Sequence, residues 1–293
     1  PATPCPRAPE GRPSVAQDPR GGPASPSERL EHSPFRERFL GHNRDTRDSG
    51  AARTLLTTEW RYLGWLLAGR EHPRVLDLAC GSGPFALAWA ERGAAVAGID
   101  FDRDLLTAGR GRWRDAHPSP GPLIDPVWVA GDAACLPVPD GAVDVVYCNS
   151  LLEHVPDWQQ VLSEMSRVLR PGGVAVVYTT NRHCPLQQEV NGFPFYSWLP
   201  AAIQRRTMAW IMAHRRDLVN WTDFPAIHWF SFPAMRRAFR EVGLEPMDRL
   251  DLIASRGGGG ARRAVAALMT RLPGLKLPYY LYAISLSLYG IKR

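Results

Sequence analysis

An α/β fold, with a parallel sheet covered on both faces by helices, follows from this sequence on three grounds. Short apolar runs alternate with amphipathic stretches from Arg74 to Thr179, the rhythm of strands joined by crossover helices. A glycine-bearing turn, Cys80-Gly81-Ser82-Gly83, stands directly behind the first run, where a strand must turn sharply into a helix. The chain is 293 residues long with 45% hydrophobic and 22% charged residues, enough for one large core.

The elements follow in order. The first 30 residues hold eight prolines and three glycines without apolar periodicity, so residues 1–30 read as a disordered tail and 31–293 as the folded domain. Between Ala51 and Arg70, apolar residues recur at helical spacing. Arg74–Ala79 is a strand, Phe85–Arg92 a helix, Ala95–Ile99 a strand and Asp102–Arg114 a helix. Val127–Ala130 and Val143–Cys148 are strands, Trp158–Leu169 a helix, and Val174–Thr179 the fifth strand. Residues 181–231 then hold nine of the 28 aromatic residues, Trp221 and Phe224 among them, and no evident strand. Helix Pro233–Val242 and strand Arg249–Ala254 resume the rhythm. The glycine run 257–260 opens a basic helical insertion over 255–280, and Tyr282–Ile291 reads equally as strand or helix.

Several function classes recede on composition. No run reaches the roughly 18 apolar residues of a membrane-spanning helix. No apolar run follows Arg7, Arg12 and Arg20, so a secretory signal is not expected. Five cysteines without CxxC spacing argue against a disulfide framework and a zinc site, and a reducing cytoplasm fits them. The net charge of +6 is uneven, because residues 201–293 carry 15 Lys and Arg against six Asp and Glu. Such a basic third attracts phosphate, nucleic acid or a membrane surface, or it is a solvated face.

The chemistry concentrates at strand ends. Gly81-x-Gly83-x-x-Ala86 fits a dinucleotide fingerprint, and Asp100 lies 17 residues past Gly83. A carboxylate there can accept from a ribose diol, and Asp132 in Gly131-Asp-Ala can accept from an adenine amine; each is equally a residue type that caps helices and turns.

Assembled, the set Asp77-Leu-Ala-Cys-Gly-Ser-Gly83, Gly98-Ile-Asp100, Gly131-Asp-Ala-Ala-Cys-Leu-Pro137, Asp140-Gly-Ala-Val-Asp144 and Leu169-Arg-Pro-Gly-Gly173 resembles the class I S-adenosylmethionine-dependent methyltransferases. Within them it resembles the type 11 group of ubiquinone- and menaquinone-type, natural-product and sugar enzymes. The likeness covers roughly residues 73–180. It implies a Rossmann-like seven-stranded sheet, mostly parallel, with one antiparallel C-terminal strand, which Tyr282–Ile291 would supply. It further implies S-adenosylmethionine as cofactor, held by Asp77, Ala79, Gly81, Gly83, Asp100, Phe101, Asp132, Ala133 and Asn149. Ala79 departs from the commoner glycine of the loop. The fourth strand ends Cys148-Asn-Ser-Leu-Leu-Glu-His-Val155, without the Asn/Asp-Pro-Pro-aromatic segment of amino-methylating nucleic-acid enzymes, which counts against DNA or RNA base nitrogens as substrate and leaves other nucleic-acid or protein targets open.

Methyl transfer from a sulfonium needs collinear placement, and it needs a base only when the acceptor must lose a proton. His154 is the candidate base, with His183, Glu189, Asp223 and His228 as further titratable residues. Residues 181–231 are expected to form an aromatic lid over a small or lipid-like organic acceptor, with Tyr196, Trp198 and His228 facing it and methylation at oxygen. Over residues 198–216, Ile203, Trp210 and Ile211 alternate with Arg205, Arg206, Arg215 and Arg216, a pattern suited to peripheral contact with an anionic membrane. An NAD-dependent oxidoreductase would share the glycine turn but leave Gly131–Pro137 and Arg170–Gly173 unexplained. A non-catalytic binding module would not need the full set of cofactor segments.

Overall fold

The central strands are largely apolar toward both faces of the sheet, and the alternation of their side chains builds two cores. The computed structural model describes residues 47–67, 69–187, 189–219, 226–256 and 260–293. The proline-rich tail, Trp221, Asp223, Phe224 and the first three glycines of the 257–260 run lie outside the described residues.

The strands are β1 (Arg74–Leu78), β2 (Ala95–Asp100), β3 (Val127–Ala130), β4 (Val143–Asn149), β5 (Leu169–Thr180), β6 (Leu244–Met247) and β7 (Ser285–Lys292). They form one sheet in the order β3-β2-β1-β4-β5-β7-β6. β7 runs antiparallel to both β5 and β6, and every other pairing is parallel. The expected Rossmann-like sheet is therefore present, with its antiparallel strand beginning three residues after Tyr282.

The helices are α1 (Arg47–Leu66), α2 (Pro84–Ala90), α3 (Arg103–Ala116), α4 (Trp158–Val168), α5 (Ala201–His214), α6 (Phe232–Glu241), α7 (Arg249–Arg256), α8 (Gly260–Arg271) and α9 (Leu277–Tyr282). On one face Leu76, Val146, Ala175 and Leu288 meet α4 and α6 through Val161, Met165, Met235 and Phe239. On the other, Val75, Val145, Val174 and Tyr289 meet α1, α2 and α7 through Leu56, Trp89 and Leu252. Burial on both faces leaves the strand ends as the places where polar chemistry can stand.

Residues 249–254 are helix, not strand. Asp248 caps them, its Oδ1 accepting from the Asp251 N–H at 2.9 Å, and the Leu252 N–H donates to the Asp248 carbonyl at 3.1 Å, the four-residue spacing of a helical hydrogen bond. The sixth strand lies just before, at Leu244–Met247. Its Pro246 is tolerated because β6 is the edge of the sheet.

Three glycines shape the ground beneath the β1–α2 turn. A Cβ added at Gly83, Gly98 or Gly109 would stand 2.2, 3.3 or 2.7 Å from the Trp128 ring, so the indole fills a slot made by the missing side chains. Gly109 lies within α3, where alanine normally adds about 1 kcal/mol of stability. Here the packing term wins: Gly109→Ala should destabilise by about 1–3 kcal/mol, the usual cost of overpacking. A urea midpoint equal to or above that of the parent would show that the slot can yield.

Candidate active site

The β1–α2 loop is forced into left-handed backbone at alternate positions. Ala79, Gly81 and Gly83 have φ of 57°, 56° and 75°. Gly81 and Gly83 adopt this without cost, whereas Ala79 carries roughly 1–2 kcal/mol of strain where glycine would carry none. The loop is tied from within by Gly83 N–H to the Cys80 carbonyl at 2.9 Å, and from outside by Arg112 Nη1 to Ser82 Oγ at 2.9 Å.

Asp100, at the tip of β2, closes this loop. Its Oδ2 accepts from the Gly81 N–H at 2.8 Å and its Oδ1 from the Asp102 N–H at 2.9 Å. Each oxygen keeps a lone pair for a further donor. Burial raises the Asp100 pKa against the pull of these two N–H groups. Phe101 beside it is exposed, and Asp102 turns away to cap α3 through the N–H groups of Asp104 and Leu105. Asp132, past the tip of β3, is exposed; its Oδ1 accepts from the Ala134 N–H at 2.9 Å, and half-buried Ala133 lies between them. Asn149 ends β4, half-buried, next to Ser150 with φ of 55°.

Asp77 sits beneath the loop with one carboxyl oxygen left without a partner. It is buried, its Oδ2 has no hydrogen-bond partner among the described residues, and burial pushes its pKa up to about 8, with the Asp100 charge adding to the shift. An orphaned buried carboxylate oxygen fits a ligand that brings positive charge. S-adenosylmethionine carries a sulfonium and an ammonium, so the residues at these three strand tips fit the cofactor that the motifs imply.

Beyond β4 the same carboxyl edge opens into a cavity of about 110 Å³, room for several waters or one end of a small molecule. Glu153, Thr179, Asn181, Glu189, Trp229 and Ile284 are among its lining residues. The Thr179 hydroxyl donates to Glu153 Oε2 at 2.7 Å, and burial lifts the Glu153 pKa to about 7 against that hydrogen bond. Glu189 is also raised by burial, with the nearby His154 drawing it the other way. Sequence reasoning passed over Glu153. Its signal was an acid inside an otherwise apolar run, Leu151-Leu-Glu-His-Val155, just behind a strand tip.

The remaining residues fall into two groups. His228 borders the cavity wall through its backbone: its N–H donates to the Glu153 carbonyl, its carbonyl accepts from Thr180 Oγ1, and burial lowers the pKa of its ring. His154 lies in the turn after Leu151, where its N–H donates to the Leu151 carbonyl. Tyr196 is 1% exposed inside a small satellite core with Met208, Ile211 and Val219, and its hydroxyl donates to the Gln204 carbonyl. It meets Trp229 edge-on at 5.7 Å and so reaches the cavity only through that ring. Trp198 is 51% exposed and donates its Nε1–H to the His183 carbonyl at 3.3 Å. Of the described aromatic residues in 181–231, Tyr196 and Trp229 thus pack in the satellite core while Phe193, Phe195, Trp198 and Trp210 are exposed, and the chain entering β7 contributes Ile284 and Ser285 to the cavity. Asn181 Nδ2 pins that segment by donating to the Tyr280 and Ala283 carbonyls, both at 2.6 Å.

Residues 76–177 match a family model described as a methyltransferase domain. The chain is 28% identical over 213 residues to malonyl-[acyl-carrier protein] O-methyltransferase of Serratia marcescens, covering 70% of this chain and 76% of that protein. It is 30% identical over 190 residues to demethylmenaquinone methyltransferase of Listeria monocytogenes serotype 4b, covering 61% and 72%. To ubiquinone biosynthesis O-methyltransferase of Cupriavidus pinatubonensis it is 36% identical over 124 residues, 41% of this chain and 47% of that one. Neither an oxidoreductase nor a non-catalytic module finds support in these likenesses.

The buried acids make stability depend on pH in a stated direction. Asp77 binds a proton in the fold up to about pH 8, whereas the unfolded chain releases it near pH 3.8. Its contribution is therefore full below about pH 4 and is lost as pH rises toward 8. Asp77→Asn should flatten the fall in urea midpoint between pH 5 and 8 measured without cofactor. A variant whose midpoint falls as steeply as the parent's would clear Asp77 of the effect.

Proposed function

The chain belongs to the class I S-adenosylmethionine-dependent methyltransferases, and from that premise we propose that it methylates an oxygen of a small organic acceptor held in the cavity beside Glu153. The observation that carries this reading is a buried carboxylate, steadied by Thr179 and poised near neutrality, facing a cavity at the edge that carries the cofactor segments. Two of the relatives are named as O-methyltransferases.

When bound, the cofactor supplies a methyl group already activated on a sulfonium. Asp100 is assigned to the ribose hydroxyls, Asp132 with Phe101 and Ala133 to the adenine end, and Asp77 with the Ala79–Gly83 turn to the methionine end. Asn149 and Ser150 stand between this half and the cavity. Glu153 would take the proton of the acceptor hydroxyl, whose oxygen would receive the methyl group that the bound cofactor supplies. A base near pH 7 suits a weakly acidic hydroxyl, such as a phenol with a pKa of about 10. Trp229 gives the acceptor an apolar wall, braced by Tyr196. His154 acts through Glu189, whose charge it favours. The polar cavity floor also argues for an acceptor end bearing hydrogen-bonding oxygens. Membrane contact through residues 198–216 belongs to the same reading, because α5 exposes Ile203 and Trp210 beside Arg205 and Arg206.

Two measurements test the assignment. Asp100→Ala should weaken S-adenosylmethionine binding by about tenfold or more, because hydrogen bonds to a charged acceptor are worth about 1.5–3 kcal/mol each; unchanged affinity by calorimetry would take Asp100 out of the site. Against a panel of phenol, quinol and carboxylic acceptors, turnover should rise with pH through about 7. Glu153→Gln should lower it about 10²–10⁴-fold with cofactor affinity intact. Turnover within a few fold of the parent would exclude Glu153 as base.

A further inference from the structure

The last 42 residues, from Leu252 to Arg293, contain no Asp or Glu and seven Lys or Arg. Within this stretch α8 buries Ala266 but leaves Val265, Leu268 and Leu272 at 58%, 53% and 53% exposure. At 3.6 residues per turn these three share one helix face, and the exposed Arg262 and Arg271 lie about a quarter turn to either side of it. Exposed apolar residues continue through Leu275, Leu277 and Tyr282 and end at Ile284, which is both exposed and part of the cavity wall.

This exposure is held in place. Lys276 Nζ, buried between α8 and α9, donates to Asp248 Oδ2 at 2.7 Å and to Asp251 Oδ1 at 2.6 Å, and Asn181 fixes the chain behind α9. An apolar stripe flanked by arginines, without an acid in its own segment, matches the chemistry of an anionic lipid surface: apolar side chains enter the acyl boundary while the guanidinium groups meet the headgroups. A second copy of this chain fits less well, since a two-fold contact sets the same arginines against one another across the interface.

We propose that the face formed by α8 and α9 docks on an anionic bilayer and brings the Ile284 side of the cavity to the lipid boundary. Arrival of the acceptor from the lipid rests on the acceptor cavity proposed above; the docking itself does not.

Flotation of the full chain with phosphatidylcholine vesicles, with and without phosphatidylglycerol, tests the docking alone. The parent should float with the anionic vesicles and lose at least tenfold in binding as salt is raised, since screening removes the headgroup attraction. Leu268→Glu with Leu272→Glu should lose at least tenfold in vesicle binding while calorimetry shows unchanged S-adenosylmethionine affinity, which also certifies the fold. Absence of flotation, equal flotation with neutral vesicles, or full binding by the double variant would overturn the proposal. So would a concentration-dependent dimer in sedimentation that the double variant abolishes.

Discussion

Two backbone N–H groups, of Gly81 and Asp102, close on one carboxylate, Asp100, and the carboxyl edge of the sheet is organised around that contact. It joins the turn after β1 to the turn after β2, so neither can move without the other. The turn can come this close because its backbone is left-handed at alternate residues and because Trp128 packs into space vacated by glycines. A buried carboxylate with both oxygens partly satisfied is costly to desolvate and strong once paired, which makes such a contact a rigid one.

The same edge holds two buried carboxyl groups that no cation of the fold neutralises among the described residues. Asp77 and Glu153 are both buried, and burial raises the pKa of each far above that of a free carboxylate. Groups of this kind lower the stability of the empty fold at neutral pH, and they cluster where charge or a proton is to be received. Elsewhere buried acids are neutralised. Asp144 meets Arg70 and Arg170 at the other end of β4, and Glu59 meets Arg249 under the second face. The contrast separates acids paired with cations that tie the sheet together from acids whose pKa is set chiefly by burial.

Much of this was legible in the residues. The Asp77–Gly83 turn, the acid ending β2 and the Arg170-Gly173 entry to β5 each require a local backbone form that few residue types satisfy, so local sequence announces them. Residues 249–254 read as a strand because Leu250, Leu252 and Ala254 alternate; the Asp248 cap starts a helix there instead. Glu153 was missed because its meaning depends on Thr179, a residue 26 positions away, and on burial that no local pattern displays.

Sequence alone determined the order of strands and helices from β1 to β5, the glycine turn after β1, and the ligand class its edge can hold, because these rest on short-range backbone geometry and on the apolar period. Tertiary structure decided which acids stand buried at the cavity, that Tyr196 packs in a satellite core and not at the cavity, and that α8 carries its apolar residues outward. Those outcomes depend on contacts between segments far apart in the chain, where burial sets both the cost of a charge and the direction a side chain can face.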